Sequence, residues 1–267
     1  MNLNNIKNEL KKFDRYKFYE EPHVYTYIDD DDNEIPLETS VTSLIDDYTN
    51  YFDKEKIAGI KAKKENIPKD DLLKKWAFDN NLACTKGTIT HAYNEHLWKN
   101  ESYEYNKQEI MDMFGKDVIE PIWDKLKKIS DRYYNKYKDF LIPIGLEQII
   151  GSIEYNIAGT IDFLAYSKKL DAIVIIDYKT NKEITKKSFN NQKMLYPLNE
   201  ITDSNYYHYS LQLAIYKHIL EHETNLKICS RKWLVWINEN NDDFKLIECA
   251  NLDKEAEILL ESRKIEV

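Results

Sequence analysis

Apolar and polar positions along the chain fall into short stretches with a period of two and longer ones with helical spacing. Between His23 and Leu37 the two kinds alternate on either side of Asp29–Asn33, which predicts a β-hairpin with an acidic turn. Ser40 stands where an N-cap belongs, ahead of a short helix, and Asp53–Lys64 and Asp70–Asn80 read as charged amphipathic helices. Thr85–Lys99 reads as helical after Gly87, and Lys116–Lys138 as a long helix with Tyr, Trp and Ile on one stripe. Three strands follow, Ile142–Ile150, Ala158–Tyr166 and Ala172–Tyr178. The last is apolar almost without a break, as a strand covered on both faces requires. Tyr206–His222 then reads as a helix and Arg231–Ile237 as a strand. This order predicts an α/β fold with a central mixed β-sheet flanked by helices, preceded by an N-terminal β-hairpin and helical subdomain. The expected division is residues 1–82, packed on the core, and residues 83–267, the core itself with C-terminal strands and a helix.

Composition adjusts this picture only slightly. A length of 267 residues suits one large domain or a core with an appended subdomain. Five Trp, nine Phe and twenty Tyr supply enough buried surface to fold without cross-links. Charged residues are 32% of the chain, but their regular interleaving with apolar positions excludes bulk disorder. Cys84, Cys229 and Cys249 are scattered and odd in number, giving neither a disulfide framework nor a zinc pattern. They fit free thiols in a reducing compartment. With no apolar signal core near the first residues and no stretch long enough to span a membrane, the expected location is the cytoplasm. The acidic run beginning at Asp29 is read as a turn, because a calcium loop would need Gly at Glu34 and Glu at Ser40.

The net charge of −9 disfavours a polyanion held by the whole surface, yet says nothing about what one cleft can bind. Lys179–Lys193 holds five Lys and one Glu, a local excess of four positive charges. That run, with Thr180, Lys182, Lys186 and Lys187, is either a solvated loop or a contact surface for a phosphate backbone.

The segment Gly159–Lys182 carries the clearest chemistry. Asp177 and Lys179 lie two apart at the end of a strand and therefore share a face. A hairpin connection would bring Asp162 beside them. Two carboxylates in one pocket suit a hard divalent cation, and a Lys next to them can orient or deprotonate water or neutralise a phosphate oxygen. A surface hairpin with paired charges is the plainer alternative.

Four motifs in order make the chain resemble the PD-(D/E)XK superfamily nucleases, in particular the RecB-like and phage-type exonuclease branch. They are Gly87-Thr88-Ile89-Thr90-His91, Gly159-Thr160-Ile161-Asp162, Asp177-Tyr178-Lys179-Thr180 and Gln212-Leu213-Ala214-Ile215-Tyr216. The resemblance covers roughly Cys84 to Ile237, and the hairpin with Ser40-Val41-Thr42 ahead of it resembles phage-type members and mitochondrial genome maintenance exonucleases. It implies a restriction-endonuclease-like core and metal-dependent hydrolysis of DNA, exonucleolytic rather than endonucleolytic, leaving 5′-phosphates. It implies Mg²⁺ or Mn²⁺, one or two ions, held by His91, Asp162, Asp177 and the backbone carbonyl of Tyr178. A further carboxylate is Glu147 or Glu154, of which Glu147 is preferred because it precedes Ile149–Ile150. Lys179 would activate water, and Gln212 and Tyr216 would hold the strand or order the site. His91 is expected to open a helix with Glu95 one turn on. Three scattered cysteines cannot hold the iron–sulfur cluster of some relatives, and no nucleotide-binding loop is present. Lambda-type relatives form ring-shaped trimers, but the sequence leaves oligomeric state and any recombination or replication partner open.

Two other readings stand beside this one. A nuclease-like binding or scaffold protein would keep the fold without turnover. His218, Glu221 and His222 match H-x-x-E-H, the pattern of inverted zinc peptidases, although the two His also extend the packing stripe of Leu211 and Ile215.

Overall fold

The computed structural model describes residues 3–264. Residues 1–2 and 265–267, the outer ends of the two expected regions, lie outside the described residues. Helix α1 (Leu3–Leu10) leads through a 3-10 turn into strand β1 (Tyr16–Tyr19). Strands β2 (Val24–Ile28) and β3 (Glu34–Pro36) form the anticipated hairpin, with Thr26 opposite Pro36 and Ile28 opposite Glu34. Asp29 closes its turn by accepting the N–H groups of Asp31 and Asn33 at 2.9 and 2.8 Å. The unforeseen β1 makes this a three-stranded antiparallel sheet.

The main sheet has six strands: β4 (Thr39–Ser40), β5 (Leu141–Ser152), β6 (Ile157–Ser167), β7 (Ala172–Lys179), β8 (Trp233–Trp236) and β9 (Lys245–Glu248). It is mixed. The pairs β5/β6, β6/β7 and β8/β9 are antiparallel, whereas β7/β8 and β4/β6 are parallel. Side-chain alternation along β7 explains its continuous apolar sequence. Ile173 and Ile175 join one core, while Val174, Ile176 and Tyr178 join the other. The first core packs under α2 (Val41–Asp46), α7 (Asn205–Glu223) and α8 (Asp253–Glu261), and the second under α4 (Lys69–Lys99) and α6 (Lys116–Tyr137). This is a restriction-endonuclease-like α/β core with helices on both faces of a mixed sheet.

Two features prepare a cleft. Pairing of β6 with β7 ends at Phe163–Ile176, after which β7 pairs only with β8. Because β5 occupies one edge of β6 throughout, the two-residue β4 must lie on the other edge, where β7 has left it. Ser40 ends β4 and caps α2, its Oγ accepting the Ser43 N–H at 3.0 Å.

The helices differ from expectation at one important point. Asp70–Asn80 and Thr85–Lys99 are parts of one 31-residue α4, which runs unbroken across positions 82 and 83, so His91 lies deep inside a helix instead of opening one. The intervening segment contains no proline and no capping residue in a non-helical conformation. Gly87 in mid-helix costs only about 1 kcal/mol, which burial of Ile89, Tyr93 and Trp98 on the same helix offsets. Helix α3 (Lys54–Glu65) packs on the first half of α4 through Ala58, Ala62 and Leu72. Helix α5 (Lys107–Phe114) was not anticipated.

Candidate active site

The site forms where β6 and β7 part. Asp177 and Lys179 share a face of β7, and the Lys179 ammonium lies 2.7 Å from Asp177 Oδ2. The ammonium also sits 4.4 Å above the ring of Tyr209 on α7, a contact invisible in the motifs. Tyr178, between them, points into the opposite core, where the Trp98 indole donates to its hydroxyl at 3.0 Å. The strand end is thus pinned on both faces. Having lost its β7 neighbour, Asp162 turns Oδ2 to accept the Tyr178 N–H at 2.7 Å.

His91 reaches the same place from α4. Its Nε2 is 2.9 Å from the Tyr178 carbonyl oxygen, which can only accept, so Nε2 carries the hydrogen. In the neutral ring, Nδ1 then presents a lone pair towards Asp162 Oδ2 at 3.4 Å and Glu147 Oε1 at 3.9 Å. One ligand atom from each of His91, Glu147 and Asp162 falls within 4.8 Å of the others. Of the two upstream carboxylates considered, Glu147 is in this cluster. Glu154 is elsewhere, paired with His222 at 2.9 Å and Lys264 at 3.1 Å. Glu147 has φ +46°, left-handed backbone inside a strand, a conformation costing a non-glycine residue about 1–2 kcal/mol. It lines an open cleft of about 460 Å³ with Gly87, Thr88, His91, Ala92 and Glu95. Glu95 itself is held by Lys99 at 2.6 Å.

Electrostatics describe a pocket built around missing positive charge. Burial, then Asp162, Glu95 and Asp177, push the Glu147 carboxyl up to about 9. Burial and Asp162 push Asp177 up to about 6 despite Lys179. Burial works against the Lys179 ammonium, but Asp177 and Asp162 outweigh it and raise its pKa to about 12. Lys179 therefore keeps its proton at neutral pH. An imidazole lone pair and crowded carboxylates converging on one point are a donor set for a hard divalent cation, and these residues fit such an ion.

Gln212 and Tyr216 lie one turn apart on α7, and Gln212 Nε2 donates to the Tyr216 hydroxyl at 3.0 Å. Tyr216 is only 2% exposed and lies against Gly159, where an added Cβ would come within 2.7 Å of its ring. These two residues brace the floor of the site, and the glycine of the second motif exists to admit the tyrosine. Tyr25 from the N-terminal hairpin shares a hydrogen bond with Thr160 at 2.9 Å, a link the sequence did not signal. Beyond Lys179, Asn238 Nδ2 donates to the Thr180 and Asn181 carbonyls at 3.1 and 2.8 Å. Lys182, Lys186 and Lys187 are exposed, with the Lys186 ammonium 4.5 Å over the Tyr206 ring.

A family profile of the PD-(D/E)XK nuclease superfamily matches residues 78–256. The chain belongs to the PD-(D/E)XK nuclease superfamily. No curated protein sequence matches it. The matched span contains every site residue named above except Tyr25. PD-(D/E)XK nucleases are hydrolases of nucleic acid that use divalent metal ions, in keeping with the His91, Glu147 and Asp162 cluster. Among the described residues no helix is long and apolar enough to cross a membrane.

The peptidase-like motif has a different fate. Glu221 is paired with Lys217 at 2.8 Å and accepts the Ile228 N–H at 2.9 Å, while His218 and His222 stack beside buried Tyr155. Among the described residues the only potential metal cluster of three or more His, Cys, Asp or Glu is the one at His91.

Proposed function

We propose that this PD-(D/E)XK protein is a deoxyribonuclease of the RecB-like branch that removes nucleotides from DNA ends and leaves 5′-phosphates. The observation that carries this reading is the convergence of His91, Glu147 and Asp162 beside the Asp177–Lys179 pair, at the mouth opened by the parting strands. His91, Asp162 and Glu147, with Asp177 and the Tyr178 carbonyl adjoining, would hold Mg²⁺ or Mn²⁺. When bound, such an ion makes water more acidic and offsets charge on the phosphate.

The protein's own groups do the rest. Lys179, protonated and braced by Asp177 and Tyr209, neutralises a non-bridging phosphate oxygen and orients water for in-line attack. The water oxygen bonds to phosphorus, the bond to the 3′ oxygen breaks, and the proton released ends on that leaving oxygen. Tyr216 and Gln212 keep β6 and α7 at fixed separation, so the carboxylates do not drift. Lys182, Lys186 and Lys187, with Thr180, receive the backbone of the strand. Residues 83–267 carry the catalytic groups, and residues 1–82 complete the core around them with β4, α2 and the first part of α4. The scattered thiols fit a cytoplasmic place of action.

Digestion of end-labelled oligonucleotides with Mg²⁺, Mn²⁺ or EDTA tests the reading. Metal-dependent release of 5′-phosphorylated products by the wild type, abolished in Lys179→Ala, is the expected result. Equal cleavage by the variant would remove Lys179 from the site, and internal nicking of circular DNA would replace the exonuclease with an endonuclease.

A further inference from the structure

The segment that leaves the site after Lys179 runs to the start of α7 at Asn205, seven residues before Gln212, with only one short 3-10 turn in it. A connection this long in a packed domain usually carries function. It exposes Phe189 (70%) and Tyr196 (84%), and the loop after α2 exposes Tyr51 (89%). The two loops are stitched together. Leu195 N donates to the Tyr48 carbonyl at 2.8 Å, Asn50 Nδ2 to the Lys193 carbonyl at 2.6 Å, and Asn50 N to Asp203 Oδ2 at 2.8 Å. Large aromatic rings are thus held out into water by backbone that is itself tied down. Among the described residues none of the three rings packs on another ring, meets a cation or makes a side-chain hydrogen bond. Phe52, next to Tyr51, behaves differently and turns towards Trp76 at 6.4 Å.

Tyr51 and Tyr196 flank the hydrogen bonds that join the two loops, grouped exposed rings mark a contact surface, and the charge along the segment says what covers it. From Lys182 to Lys193 the same segment carries four Lys against Glu183 alone, with Glu200 and Asp203 further on, in a protein whose net charge is −9. Cations that track a phosphate backbone, interleaved with free aromatic faces, match a chain whose bases are unpaired and open to stacking. A duplex hides those faces inside its own stack.

We propose that Tyr51, Phe189 and Tyr196 form a stacking platform for unpaired bases, so that the strand delivered to the site is single-stranded DNA. This inference rests on the nuclease reading of the adjoining site for the purpose of that delivery, while the binding itself is independent of turnover.

The test is equilibrium binding of the full-length protein in EDTA to three labelled probes: a thirty-nucleotide oligothymidylate, an abasic backbone of equal length, and a blunt duplex. Oligothymidylate is expected to bind about tenfold or more tightly than the abasic chain, since stacking on one ring commonly changes affinity by about that factor. The triple variant Tyr51→Ala, Phe189→Ala, Tyr196→Ala should lose that advantage while keeping its affinity for the abasic chain and its melting temperature. Equal binding of oligothymidylate and abasic chain by the wild type would overturn the proposal, as would an unchanged triple variant. A wild-type oligomer that the triple variant converts to monomer would also overturn it, assigning the surface to contact between copies. Base-dependent binding without metal-dependent cleavage would sink the nuclease reading and leave the platform standing. Cleavage without base-dependent binding would do the reverse.

Discussion

Two places in this molecule bring imidazoles and carboxylates together, and they end in opposite states. Around His218 and His222 the groups are matched: Tyr155 reaches both rings, Glu154 takes His222, and Lys264 bridges Glu154 and Glu261. Around His91 they are not. Nδ1 faces two carboxylates, Glu147 is forced towards its neutral form, and the backbone beneath Glu147 is left-handed. Both arrangements arise from spacings that look equally chemical in one dimension. What separates them is whether the fold supplies each charge with a counter-charge. A place where it does not, in an otherwise well-packed core, has been shaped for a visitor.

The contrast can be broken at several strengths. Removal of a charge from the uncompensated centre should have the largest effect: Asp177→Asn or Lys179→Ala is expected to lower cleavage by roughly 10²–10³-fold or more. His218→Ala should leave it within about twofold. Initial rates on labelled DNA decide between these outcomes, and an equal loss in His218→Ala would erase the distinction. Next, Mn²⁺ at about 100 times its dissociation constant should stabilise the wild type by about 2.7 kcal/mol. That corresponds to a rise in melting temperature of roughly 5–10 °C. The rise should shrink in Glu147→Gln and His91→Ala and persist in His222→Ala, which calorimetry with and without the ion would reveal. Gly159→Ala sharpens the comparison from below the site. Its new methyl group would collide with Tyr216, costing about 1–3 kcal/mol in denaturant melts and loosening Asp162. The smallest effect belongs to Glu147→Gly. Relief of the left-handed backbone should raise metal-free stability by about 1 kcal/mol, while the response to Mn²⁺ falls.

Much of the site was legible because strand periodicity is local. Asp177 and Lys179 two apart on an apolar strand had to share a face, and Gln212 and Tyr216 one turn apart had to meet. The choice of Glu147 over Glu154 also agrees with the clustering in space. Contacts created by packing were not legible. Nothing near Tyr209 in sequence points to Lys179, Tyr25 lies 135 residues from Thr160, and no local pattern marks the left-handed backbone at Glu147. The fused α4 was missed because Gly87 looks like a boundary, and only the burial of the residues after it shows that the helix continues. The strand β4 is two residues long and has no periodicity to read.

The unbroken course of α4 has a mechanical consequence. At 1.5 Å per residue, a 31-residue helix is a rod roughly 46 Å long. One end carries the small lobe built with α3, and the imidazole of His91 lies farther along the same shaft. With no joint between them, a force that tilts the lobe swings the imidazole as well, so whatever grips the outer end also has a hand on the ligand.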